Sequence, residues 1–319
     1  MHAIISDSPG GPFRFTRVDP PVPTPEQVLI DVTYAHVQRD PTPAPGTGIP
    51  GAAGCGRVAH DPVGEIAAGT LVAFCDAQGA YAEQAVVHRD RIAAVPESID
   101  DEVAACMLAP GILAHALLHG VHDTADGDTM VVTGGGCELG LAVTQLAAGL
   151  GGTVFSVVST AHEEELAYDA GATGVFRYFP DAAQRICEAN SGSGVDVVIE
   201  ASQPPLPEAL HPFDLALQAC RPLGLICAVG GSELAAGRSA DALLNELDEH
   251  GGLFLTAPSL DWYTRTADEF RLRSQAVTRA VEDATLRFPI GGVFSLAEAD
   301  AAHEALADAQ RVGSVLLRA

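Results

Sequence analysis

The chain of 319 residues contains no lysine; all 17 of its basic residues are arginine. That absence excludes a lysine base, a lysine Schiff base and the lysine of a phosphate-binding P-loop. Positive charge is scarce altogether, since 42 acidic residues leave a formal net charge of -25. Such a balance repels nucleic-acid phosphates and anionic membranes, so neither is expected as a partner. Its ordinary account is solubility, with a genome that favours arginine codons. No CxxC pair occurs among the seven cysteines Cys55, Cys75, Cys106, Cys137, Cys187, Cys220 and Cys227. Their odd number fits reduced thiols in a cytoplasm, and a zinc held by clustered cysteines is not expected. Most fall in apolar segments, where a cysteine reads as a small buried hydrophobe. No apolar run reads as long enough to span a bilayer. Met1–Ile5 lacks the basic start and extended apolar core of a signal peptide. A soluble, cytoplasmic protein is expected.

The most informative stretch runs from Met130 to Val158. Met130, Val131 and Val132 form a short apolar run typical of a strand. A glycine-rich turn follows, made of Gly134, Gly135, Gly136, Cys137, Glu138, Leu139 and Gly140. Leu139, Val143, Leu146 and Leu150 recur at helical spacing, Gly151 and Gly152 stop the helix, and Thr153–Val158 reads as the next strand. This is the pattern of the first βαβ unit of a dinucleotide-binding fold, in which the pyrophosphate rests on a helix N-terminus.

The texture differs on either side of that unit. Up to about residue 110 the chain reads as short strands, at Val28–Tyr34, Gly69–Phe74 and Tyr81–Val87, with proline- and glycine-rich links at Asp19–Pro25 and Pro41–Gly54. That suggests a barrel-like domain. From about 111 to 252 strands alternate with helices: a helix near Glu163–Asp169, a strand at Val175 and Phe176, a helix near Ala182–Glu188, and buried strands at Val195–Ile199 and Leu225–Val229. This order implies a parallel sheet with helices on both faces. Two amphipathic helices, Ala267–Leu286 and Leu296–Ala309, and a strand at Ser314–Leu317 close the chain. They are expected partly to complete the N-terminal domain.

In order and spacing these segments resemble the medium-chain dehydrogenase/reductase superfamily, in its zinc-free quinone oxidoreductase and enoyl reductase branch. Met1–Ile5 looks like the opening strand of that family, and Pro23–Val32 like its PxPxxxxVLVxV segment. Gly79–Glu83 is similar to GGYAE, and Leu108–His115 sits where the family has LPxAGLTAY. Gly171 with Ala172 and Val195–Val198 match LGAD and VDVV, and Phe294–His303 matches FxLxEAxxAH. The resemblance implies an α/β protein: a GroES-like β-barrel catalytic domain plus a Rossmann domain with a doubly wound parallel sheet. The expected boundaries are 1–110, completed by 257–319, for the catalytic domain and 111–256 for the Rossmann domain. It implies an active site in the cleft between them, and a homodimer joined through a Rossmann edge strand, for which Leu253–Thr256 is the candidate.

The same resemblance assigns candidate residues and exposes departures. NADPH would rest on Gly134, Gly135, Gly136, Cys137, Glu138, Leu139 and Gly140, with Gly230 nearby and Ser159, Thr160 and His162 at the ribose. The branch usually has GAAGGVG at the turn, so Cys137 and Glu138 replace glycines; side chains there crowd the backbone's approach to pyrophosphate. The short-chain dehydrogenase pattern TGxxxGxG, aligned on Thr133, Gly134 and Gly140, also loses a glycine, and its catalytic lysine is absent here. Ser159–Glu163 stands where the branch has a serine and basic residues that grip a 2'-phosphate, and its glutamates oppose that grip. The ordinary reading of this segment is a helix cap. Zinc is not expected, because His36–Asp40 and Gly51–Ala53 hold none of the ligand motif of zinc-dependent relatives. His115 and His119 are one helical turn apart, a spacing that can hold a metal, but no third ligand is assured.

The candidate catalytic residues are His36, Gln38, Asp40, Tyr81 and His115. Gln38 stands where the branch usually has asparagine, and Leu113 replaces a threonine. His36 or His115 could donate a proton, since an imidazole near its pKa suits that role; either could equally be structural. Pro41–Gly54 is shorter than in typical relatives, which suits a bulky, flat, polycyclic substrate such as an aromatic polyketide. The leading expectation is a zinc-independent NAD(P)H-dependent reductase of an activated C=C bond or quinone, with natural-product tailoring as its finer form. The alternative is a cofactor-independent lyase, cyclase or isomerase, or a binding protein on a relic fold. Cys137, Glu138, Leu113, Gln38 and the missing basic residues motivate it.

Overall fold

The computed structural model describes residues 1–9, 11–39, 41–202, 210–229, 238–308 and 312–319. Asp40 and Gly230, both site candidates, lie outside them. Seven strands come first: β1 (His2–Ile5), β2 (Arg14–Arg17), β3 (Gln27–His36), β4 (Gly54–His60), β5 (Leu71–Phe74), β6 (Gln84–His88) and β7 (Ile92–Ala94). Helix α1 (Asp101–Ala116) follows and continues as a π-helical stretch, Leu117–Val121. Then strands and helices alternate as β8 (Thr129–Thr133), α2 (Glu138–Gly149), β9 (Thr153–Val158), α3 (Ala161–Asp169), β10 (Gly174–Arg177), α4 (Ala182–Ala189) and β11 (Val195–Glu200). Next come α5 (Pro212–Ala219), β12 (Cys220–Ala228), α6 (Ala240–Glu249), β13 (Phe254–Thr256) and the short α7 (Leu260–Tyr263). The chain finishes with α8 (Ala267–Glu282), β14 (Ile290–Ser295), α9 (Ala299–Ala307) and β15 (Ser314–Arg318).

Two units result, Met1–Ile112 with Thr264–Ala319, and Leu113–Tyr263. The first is organised by β3. One edge of β3 pairs antiparallel with β4; along the other, Gln27–Asp31 pairs with β6 and Tyr34–His36 with β15. Burial along β3 alternates: Leu29, Asp31 and Thr33 are partly or fully exposed, whereas Val28 and Ile30, on the opposite face, are fully buried. Each such side chain contributes about 1.5–3 kcal/mol on burial. β14 pairs parallel to β15, so the last segment of the chain extends the sheet begun by its first hundred residues.

In the second unit six strands run parallel in the order β10-β9-β8-β11-β12-β13. This is the doubly wound order, with its switch point between β8 and β11. Helices α2 and α3 pack together over β8, β9 and β10, and α4 and α5 form a separate pair. Val131, Phe155, Val198 and Ile226 from the sheet meet Ile186, Phe213 and Leu217 from α4 and α5 in one core. Among the described residues β13 pairs with β12 alone, which makes Phe254–Thr256 an edge strand, and Phe254 is 61% exposed.

Several elements differ from the sequence reading. Asp101–Val121 is a continuous helical run of 21 residues, apolar enough to cross a membrane; the expectation of no such run is corrected. Its most apolar 18-residue window is 67% buried within the protein, as the core helix of a globular domain would be. Helix α8 stops at Glu282 rather than Leu286, because Ala284 takes a left-handed φ of 56° and the N–H groups of Thr285 and Leu286 turn back to the Ala280 carbonyl. β12 begins at Cys220, five residues before the apolar run, and carries Leu223 at φ 61°. Leu296–Glu298 is a 3-10 turn ahead of α9, not part of one helix.

Candidate active site

Between β8 and α2 the chain turns through Gly134–Cys137. Gly134 takes φ 63°, and a Cβ there would lie 2.8 Å from the backbone of Ser202. A Cβ at Gly135 would lie 2.8 Å from Cβ of Ser156, and one at Gly140 would collide with the Gly134 carbonyl oxygen. The glycines are therefore required by contact: turn, β9 and α2 pack too closely for side chains. The Gly135 N–H donates to the Val157 carbonyl at 2.9 Å, which ties the turn to β9.

Cys137 behaves differently from the sequence expectation of crowding. It is the N-cap of α2, and its Sγ accepts the Gly140 N–H at 3.3 Å while facing the Ala201 carbonyl at 3.5 Å. The thiol is folded into the helix end, where burial pushes its pKa up to about 12. It is a capping group and not a reactive thiolate. Glu138 opens the first turn of α2 and is half-buried, and Leu139 is buried.

A residue that motif reading missed holds this turn in place. The hydroxyl of Tyr178, just after β10, accepts the Gly134 N–H at 2.7 Å and meets Ser202 Oγ at 2.7 Å. Burial raises its pKa well above the ordinary phenol value, so it stays a neutral hydroxyl. Glu200 at the end of β11 is buried and accepts Thr133 Oγ1 at 3.2 Å and the Ser202 N–H at 2.9 Å. Strand ends β8 and β11, on either side of the switch point, are thus fixed to one another.

At the end of β9, Ser159 is exposed and Thr160 caps α3. His162 points to solvent beside Glu165 at 3.7 Å. Glu163 completes a capping box. The one arginine this corner receives from β10, Arg177, donates to the Ser159 carbonyl at 2.9 Å and to Glu164 at 3.0 and 3.2 Å.

In the first unit, His36 is only 3% exposed at the end of β3, so it does not face solvent. Tyr81 is fully buried; its hydroxyl accepts the Gln38 backbone N–H and meets His303 Nε2 at 3.1 Å. His303 in turn stacks on Phe13 with ring centroids 4.5 Å apart. Gln38 itself lines a cavity of about 380 Å³ with Arg39, Thr42, Ala52, Asp76 and Gln78. The structure thus joins Tyr81 to the Gln38 backbone, with His303 behind, a contact between segments too distant in sequence for motif spacing to show. In the second unit, His115 is half-buried and its ring lies 4.5 Å from that of His119. His122 does not join them; it pairs with Asp128 at 2.9 Å. Among the described residues no group of three or more His, Cys, Asp or Glu gathers as a metal site.

Residues 139–264 match the family model described as zinc-binding dehydrogenase. A mycobacterial protein whose structure was solved in complex with NADPH is 32% identical, covers 100% of both chains and superposes with a TM-score of 0.88. A quinone oxidoreductase of Pseudomonas aeruginosa is 27% identical over 97% of this chain and 96% of its own. A 2-haloacrylate reductase of a Burkholderia species is 29% identical over 75% of this chain and 70% of its own. With the GroES-like and Rossmann units already in view, the chain belongs to the medium-chain dehydrogenase/reductase superfamily, in its zinc-free quinone oxidoreductase branch.

Proposed function

We propose that the protein is an oxidoreductase that uses NADPH to reduce a quinone or a C=C bond conjugated to a carbonyl. The observation that carries this reading is the turn itself. Despite two replaced glycines it keeps its close packing, and the Cys137 thiol folds into the α2 cap instead of standing over the turn. The residues present therefore fit a dinucleotide: Gly134–Gly140 and the N-terminus of α2 would hold the pyrophosphate, and Ser159 and Thr160 the ribose. Held there, a reduced nicotinamide dinucleotide would be the source of the hydride for an electrophilic carbon. Tyr178 contributes by fixing Gly134, so the donors of the turn need no reorganisation. The companion proton goes to the substrate's oxygen or to the carbon beside its carbonyl. His115 is the better donor, since it keeps solvent access while His36 is buried. On the substrate side, Gln38 borders the 380 Å³ cavity, a volume within the range of small-molecule sites. A flat polycyclic acceptor, as in natural-product tailoring, is the finer form of this proposal; it rests on that cavity and on the irregular loop from Pro41 to Ala53. The NADPH-bound relative supports the cofactor, and the quinone and haloacrylate reductases support the acceptor class.

Two accompanying proposals concern the setting. A second copy of the chain would pair at the β13 edge, where Phe254, and Leu223 on the neighbouring β12, are exposed. The seven cysteines are all free, which suits a reducing cytoplasm. The test of the reaction is deuterium transfer. The protein is incubated with C4-deuterated NADPH and a panel of quinones, enones and 2-haloacrylate. Deuterium is expected at the electrophilic carbon of a reduced enone, or a quinol is expected in step with NADPH oxidation. A panel in which no acceptor is reduced would contradict the reading.

A further inference from the structure

The corner between β9 and α3 carries a carboxylate that the proposed reaction does not use. Glu163 is the third residue of α3, and its Oε2 accepts the N–H groups of Ser159 at 2.6 Å and Thr160 at 3.0 Å. Thr160 Oγ1 accepts the Glu163 N–H at 3.2 Å in return. Taken alone this is a capping box, which needs no ligand to explain it.

Its position also sets it beside the glycine-rich turn. The stem of Glu163 lies directly against Gly136 of the glycine-rich turn. A Cβ added at Gly136 would collide with Cγ of Glu163 and lie 2.8 Å from its Cδ. The carboxylate thus fills the angle between the turn and the end of β9. In a doubly wound sheet the end of this second strand is where the adenosine ribose is read, a 2'-hydroxyl by a carboxylate and a 2'-phosphate by a cation. The charges around it are arranged the same way. Arg177 is bonded to Glu164 and to the Ser159 carbonyl, and His162 stands beside Glu165.

We propose that Glu163 determines cofactor specificity at the ribose by holding, with its own carboxylate, the Ser159 and Thr160 backbone donors that a 2'-phosphate would take. It holds down the preference for NADPH over NADH, and this rests on the reading that the chain binds a reduced nicotinamide dinucleotide. The competition is direct. Carboxylate and phosphate both seek the same pair of N–H groups, and two anions this close repel. A ribose 2'-hydroxyl has no such conflict, because it donates to a carboxylate lone pair.

The test compares the intact wild-type protein with Glu163→Gln, titrated separately with NADPH and NADH by calorimetry. Glutamine keeps an acceptor oxygen for the cap, so α3 is retained. NADPH should bind roughly tenfold more tightly to the variant, with NADH unchanged or weaker, as loss of one repulsive charge implies. The gain should shrink with added salt, because the site is half-exposed. Glu163→Lys should carry the same trend further. If wild type binds and both dinucleotides shift by one common factor, or neither shifts, this proposal is overturned and the dinucleotide reading stands. If neither protein binds either dinucleotide at millimolar concentration, the dinucleotide reading falls and takes the proposal with it.

Discussion

The two ends of the β8–α2–β9 unit accommodate their side chains differently. At the glycine-rich turn, Cys137 replaces a glycine of the family pattern that the sequence resembles, yet its thiol turns into the helix cap and the turn keeps its packing. At the end of β9, Glu163 also acts as a cap, but its stem lies over Gly136, at the place the proposal gives to the ribose. Both side chains satisfy backbone donors. What separates them is charge and direction: a neutral, inward cap adds no charge to the turn, whereas a carboxylate at its rim would, on the proposal above, change which dinucleotide is preferred. Departure from a family motif is thus a poor measure of lost function until the side chain's direction is known.

The strongest way to break this contrast is at Gly140. A Gly140→Val side chain would meet the Gly134 carbonyl oxygen. It should cost about 1–3 kcal/mol of stability, measured by denaturant unfolding, and abolish binding of both dinucleotides. A smaller effect is expected from Tyr178→Phe. Losing the acceptor for the Gly134 N–H should cost roughly 1–2 kcal/mol, and both dinucleotides should weaken by a similar factor in calorimetry, unlike the one-sided change at Glu163. Smaller still is Cys137→Ser. A hydroxyl is a good N-cap, so melting should move by less than the ~1 kcal/mol of a lost cap and the NADPH-to-NADH ratio should hold. Alanine at the same position should lower the melt instead.

The thiols add a pH dependence. Burial raises Cys75, Cys137, Cys220 and Cys227 to about 12. An acid whose folded pKa lies above its unfolded value stabilises fully below the unfolded value, about 8.5 for a thiol. That contribution is lost as the pH rises through the folded value. Denaturation midpoints should therefore hold steady from neutral pH upward and fall above about pH 9. Replacing Cys227, buried on β12, by alanine should blunt the alkaline slope.

Much of this architecture was legible in the sequence because it is periodic. Val195–Ile199, Thr153–Val158 and the face of Leu139, Val143 and Leu146 announce strands and helix, and glycine punctuation marks the ends. The order of segments then fixes the doubly wound sheet. Elements with weaker patterns have no counterpart in the sequence reading: α1, α5 and α6 are not announced by it, and the end of α8 turns on the backbone of Ala284. The site was legible in its glycines and illegible in its contacts. Tyr178 reaches Gly134 from 44 residues away, and His303 reaches Tyr81 from 222 residues away. No local spacing encodes such pairs. Nor does sequence reveal rotamers, which alone decide that Cys137 points into α2 and that Glu163 lies over Gly136.

The central claim is that the turn still binds a reduced nicotinamide dinucleotide. Calorimetric titration of the purified wild-type protein with NADPH tests it most directly. The account predicts saturable binding of one molecule per chain in the micromolar range. A flat titration up to millimolar NADPH, with NADH equally silent, would contradict it and leave the cradle as architecture without a ligand.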